Sequence, residues 1–439
     1  MKKQLISAMI ITLGVMALFI AGVIITEKVN LETIRSEYSQ LPNSGNAGLV
    51  DIPAPTQKAV QFEKNKVAVW IVRFLLSLAI PAFLLFSGWS AGVRNWARSQ
   101  SKNFIVILAL YFIIYSCIDY LLSFPLDFYS GFVRLHSYGL SNQPFTKWLG
   151  DSLKSFAINT FSGAAFVWLP YLAIKKSPGR WWLYMALLSI PVLIFISYIS
   201  PVFIDPLFNK YQPIQDKALE EKLRSQISRT VIRDCQLYQV DKSVDTNQMN
   251  AYMTGMFNTK RIVLWDTTIR NLSQREVLGV TAHEMGHYAL GHVWKSIGLG
   301  ALLCAAVLYL VHKSALWILD RSGGAFGFTR LYDIASLPLL ILLINLFMFA
   351  AAPVENAYSR HMETEADRFE LELTRDNQAA ASAMVKLHQG SLTLPQPGII
   401  YKLWSYDHPT FKERVDFANS YRPWEENRPL RYQKYFVNF

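Results

Sequence analysis

The sequence predicts an all-α, multi-pass membrane protein of seven spanning helices carrying a small α+β catalytic portion. Three observations predict it. Hydrophobic residues make up 52% of the 439 and charged residues only 17%, whereas an ordinary soluble domain carries about a quarter charged. The apolar residues gather into seven runs near the about 20 residues that a bilayer crossing requires. Between the fifth and sixth runs lies a polar segment with a His-Glu-x-x-His pattern. The excess of 43 Lys and Arg over 32 Asp and Glu, a net +11, then reads as loop charge beside a lipid bilayer. No nucleic-acid partner is expected. Cys117, Cys235 and Cys304 are too few and too scattered for a disulfide framework or a cysteine zinc site.

The first run, residues 5–26, follows Lys2-Lys3 and holds no charge. It exceeds the about 7–15 residues of a signal-peptide core, so it is read as an anchor that stays. Six more follow at 67–93, 104–126, 156–174, 181–204, 297–319 and 334–354. Trp181-Trp182 opens one of them as an interfacial aromatic pair. Pro81, Pro170, Pro191 and Pro338 fall inside spans, where membrane helices tolerate them. Arg73 and Asp119 stand at membrane depth and imply either a polar interior or one structural ion pair. The organisation expected is five spans with loops over 1–204, a soluble catalytic segment over 205–296, spans six and seven over 297–354, and a C-terminal segment over 355–439 that completes the metal site. A polar loop, 27–66, contains a Pro/Gly/Asn-rich stretch at 42–55.

Within the soluble segment, 217–232 has a charged helical pattern, and 235–240 and 261–265 alternate like strands. Thr254-Gly255 and Asn258-Thr259-Lys260 supply turn signals between them. Ser273 with Glu276 three residues on is a capping box, and the helix it opens carries His283-Glu284-Met285-Gly286-His287. Histidines at i and i+4 share a helix face, so both imidazoles can reach one Zn²⁺. Glu284 can lean over the open coordination position and take a proton from the attacking water. A catalytic zinc needs a third protein ligand. The 355–367 stretch, helical by pattern, offers candidates: Glu363 and Asp367 share a face, as ligand and as acceptor for a ligand imidazole N–H. On spacing alone His361 or Glu365 also qualifies.

With these residues in place the chain resembles the type I CAAX prenyl proteases of peptidase family M48, integral membrane zinc metallopeptidases, over nearly its whole length. Asp205-Pro206-Leu207-Phe208-Asn209-Lys210, Asn250-Ala251-Tyr252 with Gly255, Arg261 to Thr267, Ser359-Arg360 with Glu363 and Ala366-Asp367, and His408-Pro409 with Glu413-Arg414 carry the resemblance. It implies a zincin-like site in which His283, His287 and Glu363 hold one Zn²⁺ and Glu284 is the general base. It further implies that Asp367 orients a ligand histidine and that His408 and Arg414 steady the oxyanion. Asn250, Ala251 and Tyr252 would bind substrate backbone as an added strand. The helices would surround a polar chamber, and the substrate would be a peptide or protein, lipid-modified C-termini among them. Gly390-Ser391-Leu392 in place of Asn-Leu, Asp407 in place of serine, and a tail Phe436-Val437-Asn438-Phe439 without dilysine point to a bacterial member in an inner membrane. For His292, a structural place at a helix end is expected.

Three rivals are weaker. A site-2-type intramembrane protease needs its motif inside a span and a Leu-Asp-Gly, and neither Leu126-Asp127 nor Leu319-Asp320 is followed by Gly. A heat-shock-type quality-control protease has fewer spans before the motif. A non-proteolytic scaffold has no need of the intact constellation. Orientation divides the signals. The linkers on the N-terminal side hold Arg94, Arg98, Lys102, Lys175, Lys176, Arg180, Arg321 and Arg330, which places the catalytic segment on the periplasmic or lumenal side. The resemblance implies a cytoplasmic catalytic segment, and the charge count is preferred.

Overall fold

The computed structural model describes residues 3–39, 49–233, 235–256 and 259–437. Residues 40–48 of the Pro/Gly/Asn-rich region, Asn258 of the turn signal, Lys2 and the tail's Asn438-Phe439 lie outside them. Among the described residues, seven helices are long and apolar enough to cross a membrane, matching the predicted count. Their helical cores run Lys3–Ser39, Gln57–Phe86, Phe104–Phe128, Phe145–Phe166, Trp181–Ile199, His292–Ser322 and Leu337–Thr374.

Two expectations need correction. The run over 67–93 breaks at Ser87-Gly88, and a separate short helix, Trp89–Gln100, follows the span. The divisions at 296/297 and 354/355 both fall inside helices, because His292–Ser322 and Leu337–Thr374 are continuous through them. Polarity changes there as the helix leaves the apolar layer, but no breaker interrupts it; Pro353 is accommodated inside. Of the two readings of Arg73 and Asp119, a pair between them is absent and a shared polar cavity is present. Arg73 Nη1 lies 2.7 Å from Asp127 Oδ1, while Asp119 lines the same cavity of about 350 Å³ together with Asn345 and Tyr115.

The polar segment folds as one sheet of strands β1 (Tyr211–Pro213), β2 (Gln236–Val240), β3 (Ala251–Thr254) and β4 (Arg261–Trp265), in the order β1-β2-β4-β3. β2 and β4 run parallel, and the outer pairs are antiparallel. β4, predicted over these same residues, is central, and Ile262, Val263 and Leu264 are fully buried. Its side chains join Val277, Ala282, Met285 and Phe369 in the core beneath the metal-motif helix. Among the described residues β3 pairs only with β4, in register Ala251 opposite Leu264, and forms one edge of the sheet while β1 forms the other.

Candidate metal centre

The helix Gln274–Ala289 starts where the capping box predicts it. Ser273 accepts from the Glu276 amide, and the Glu276 carboxylate accepts from Ser273 N at 2.7 Å. Glu276 also takes bonds from Ser382 Oγ at 2.6 Å and Lys386 Nζ at 2.7 Å, tying the helix to Asn377–Gly390. Further along, Gly286 lets the helix approach Leu337–Thr374 closely. A Cβ at this position would lie 3.0 Å from Phe369 Cβ and 3.2 Å from Ala366 Cα. That contact brings the two histidines against Glu363.

The potential ligand atoms of His283, His287 and Glu363 converge, with one carboxylate oxygen of Glu363 facing each histidine. His283 Nε2 and His287 Nε2 are 3.1 Å apart. Glu363 Oε2 lies 3.2 Å from the first and Oε1 3.3 Å from the second. Zinc bonds of about 2.0–2.1 Å in a tetrahedron require edges of about 3.3–3.4 Å. Glu363 Oε2 is buried and makes no hydrogen bond. The donor set, its spacing and this orphaned oxygen all fit a zinc ion.

Both imidazoles are held from behind. His283 Nδ1 is 2.8 Å from Asp367 Oδ1, which orients Nε2 toward this ligand group. Burial pushes the His283 imidazole pKa down, but its bonds to Asp367 and Glu363 outweigh this and hold it well above the usual range. Arg414 gives Nε and Nη2 to the two Asp367 oxygens at 3.0 and 2.5 Å, and Nη2 lies 3.3 Å from His283 Nδ1. These two donors thus serve Asp367 on the Nδ1 side of the His283 imidazole.

His292 departs further from expectation. Gly291, at φ +67°, ends the motif helix in a left-handed turn that only glycine adopts cheaply, and His292 opens the next helix folded back on His287. Its Nδ1 is 2.9 Å from His287 Nδ1, and its Nε2 is 3.4 Å from Glu365 Oε2. Glu365 therefore does not reach the ligand group. It stands at ion-pair distance from His292, behind His287, and it also gathers Tyr432 Oη at 3.1 Å and Lys295 Nζ at 3.3 Å. Gly291, directly before His292 and four residues after His287, was the available signal. His361, the other alternative ligand, is exposed and 3.7 Å from Glu365.

On the open side, His408 Nε2 lies 3.3 Å from Glu363 Oε2, and its Nδ1 is 2.8 Å from Asp407 Oδ1. Glu284 accepts a hydrogen bond from Met253 N of β3 at 3.3 Å, so the edge strand touches the expected base directly. Ala251 and Tyr252 lie in that strand, and Asn250 sits just before it, its Oδ1 accepting from Ala251 N at 2.9 Å. Tyr252 Oη is 2.9 Å from Tyr211 Oη.

A multi-pass helical membrane body with a His₂Glu ligand group beside an edge strand defines the class: a membrane metallopeptidase. The comparisons narrow it. Residues 213–422 match the family model Peptidase family M48, and residues 52–210 match the model described as CAAX prenyl protease N-terminal, five membrane helices. The chain is 34% identical over 388 residues to an uncharacterized metalloprotease, YhfN, of Bacillus subtilis, covering 86% of this chain and 87% of that one. It is 28% identical to a CAAX prenyl protease 1 homolog of Dictyostelium discoideum, covering 82% and 85%. The crystal structure of S. mikatae Ste24p superposes with a TM-score of 0.77 at 23% identity, over 92% of this chain and 98% of the other, and shows the same fold. The chain belongs to peptidase family M48 and is an integral membrane zinc metalloprotease.

Proposed function

We propose that His283, His287 and Glu363 hold one zinc ion and that this chain cleaves peptide bonds of a strand laid along β3. The observation that supports the reading most is the convergence of His283 Nε2, His287 Nε2 and the Glu363 carboxylate, with a histidine–histidine distance of 3.1 Å and histidine–oxygen distances of 3.2 and 3.3 Å. When bound, zinc would polarise the scissile carbonyl and acidify water. The chain's own residues do the rest. Glu284, one residue past the first ligand, takes the proton of the attacking water and returns it to the departing amine. β3 offers its outer edge to an extended substrate, whose backbone would take the Ala251 and Met253 amides over from Asn250 and Glu284. His408 is the donor for the oxyanion, held by Asp407. Arg414 and Asp367 keep His283 in the tautomer that leaves Nε2 free, and His292 does the same for His287.

The preferred substrate class is a protein C-terminus near the bilayer, with a prenylated cysteine as the test case, as in the names of the eukaryotic relatives. Purified full-length protein should be offered matched prenylated and unprenylated peptides, with products read by mass spectrometry. Equal cleavage of both removes the prenyl requirement, and cleavage of neither removes this substrate class. We further propose an inner-membrane location with the catalytic segment on the side away from the basic linkers, the periplasmic one. An export-dependent reporter active within 95–102 and silent after residue 439 would reverse that assignment.

A further inference from the structure

On the side opposite the metal centre, the loop 323–333 and the short helix Trp89–Gln100 enclose a basin of about 610 Å³, within the range of small-ligand sites. Arg94, Arg98, Thr329, Arg330, Tyr332 and Asp333 line it. Three guanidinium groups face one carboxylate, which leaves two positive charges over. Asp333 is fully engaged: Oδ2 takes Arg94 Nη1 at 2.9 Å and Arg98 Nη2 at 3.3 Å, and Oδ1 caps Ala335 N at 3.0 Å. Arg94 is 8% exposed and committed to Asp333, Gly327 O and Asn95 Oδ1, so it builds the floor. Arg98 and Arg330 are the exposed pair. Arg98 gives one bond to Asp333, and Arg330 gives Nη1 to Tyr332 Oη at 2.5 Å; among the described residues Arg330 has no carboxylate within ion-pair distance.

A second observation sets the depth of this basin in the bilayer. Ser90, Arg94 and Ala97 form the buried face of the short helix, while Trp89 and Trp96, seven residues apart, are 55% and 47% exposed on its outer face. Phe83, at the end of the preceding span, is 50% exposed and in ring contact with Trp89. Exposed tryptophans beside a span end belong at the headgroup layer. The helix therefore lies along the interface, tryptophans toward lipid and arginines toward the basin.

We propose that this basin binds the phosphodiester headgroup of an anionic phospholipid, of the phosphatidylglycerol or cardiolipin class. The planar guanidinium groups of Arg98 and Arg330 suit two oxygens of one phosphate, and Thr329 supplies a hydroxyl. Its acyl chains run down past Trp89 and Phe83 into the hydrocarbon layer. Basic pockets between spans are a known form of headgroup recognition. The linker basic residues outside the basin, such as Lys175 and Lys176, serve as the control for diffuse surface charge.

The full-length protein is purified in detergent, supplied with phosphatidylglycerol or phosphatidylcholine, and its bound lipid is read by native mass spectrometry. The expected result is retained phosphatidylglycerol, no retained phosphatidylcholine, and an occupancy at least about fivefold lower in R98Q/R330Q. K175Q/K176Q should keep wild-type occupancy. Thr329→Glu leaves all three arginines in place and should lose the lipid to the same degree, which guards against misfolding of the arginine variant. Equal retention in R98Q/R330Q and wild type, or equal loss in K175Q/K176Q, overturns the proposal. Complete displacement of the lipid by 10 mM inorganic phosphate would make free phosphate the ligand and overturn the lipid assignment as well.

Discussion

Asp367→Asn separates metal support from charge balance. Asp367 holds His283 Nδ1 at 2.8 Å and Arg414 through two bonds at 3.0 and 2.5 Å, and both side chains of that ion pair are about nine-tenths buried. Asparagine keeps one carbonyl oxygen for His283 but turns an NH₂ toward a guanidinium. Breaking a buried pair on one side costs about 3–5 kcal/mol, because the remaining charge is left uncompensated. Weakening the outer partner of a ligand histidine costs about 10–100-fold in metal affinity, or about 1.4–2.7 kcal/mol. The variant should therefore unfold at a lower temperature with zinc stripped, and should also lose zinc to a chromophoric chelator at about 10–100-fold lower competitor strength. Asp367→Asn with Arg414→Met removes the orphaned cation. It should recover most of the thermal loss and none of the zinc loss. If the double variant regains zinc affinity together with stability, Asp367 acts only as the counter-ion of Arg414, and its proposed hold on His283 fails.

Further tests bear on the other residues. Glu284→Gln should lower turnover by at least about 10²-fold with zinc content unchanged, measured by peptide cleavage and metal analysis; near-wild-type activity would remove Glu284 as base. Glu363→Ala should lose zinc outright, whereas Glu365→Ala, acting only through His292, should weaken it by about tenfold; the reverse order would exchange their roles. His292→Phe should loosen zinc by about 10–100-fold while His292→Asn, which retains an acceptor, loses less; identical losses would mean packing alone. Glu276 is opposed by burial but held below the usual carboxylate range by Lys386 and Ser382. Its contribution to stability is thus present above the unfolded-state carboxylate pKa and disappears as pH falls through the lower folded value. Glu276→Gln should lower the unfolding temperature at pH 7 and approach wild type below about pH 4; a gap that widens on acidification would contradict this.

How far the sequence was legible depends on where each contact is made. Spans could be counted because lipid demands long runs that satisfy their own backbone. The cap at Ser273 and the pair His283 and His287 were legible because each is a relation within one or two turns of one helix. Helix limits near the 86–89 break and the long 337–374 helix were not, since a change of polarity marks a membrane surface without marking a helix end. The partner of Arg73 stands 54 residues away, and no local pattern chooses Asp127 over Asp119. The proposed third ligand illustrates the limit best. Glu363, Glu365 and Asp367 read as one acidic cluster, and spacing separates Glu365 from the other two by about 160° of helix rotation. Which side meets the metal is decided by Gly286 resting on Ala366 and Phe369, a contact between helices. Once that face is set, Glu363 completes the ligand group and Asp367 supports His283 from the same side. Glu365, turned the other way, still reaches the site because Gly291 folds His292 into the space between it and His287. The two imidazoles proposed as ligands thus face carboxylates from opposite faces of one helix, one directly and one through a second imidazole, so substitutions at Asp367 and Glu365 should weaken the same metal through different histidines.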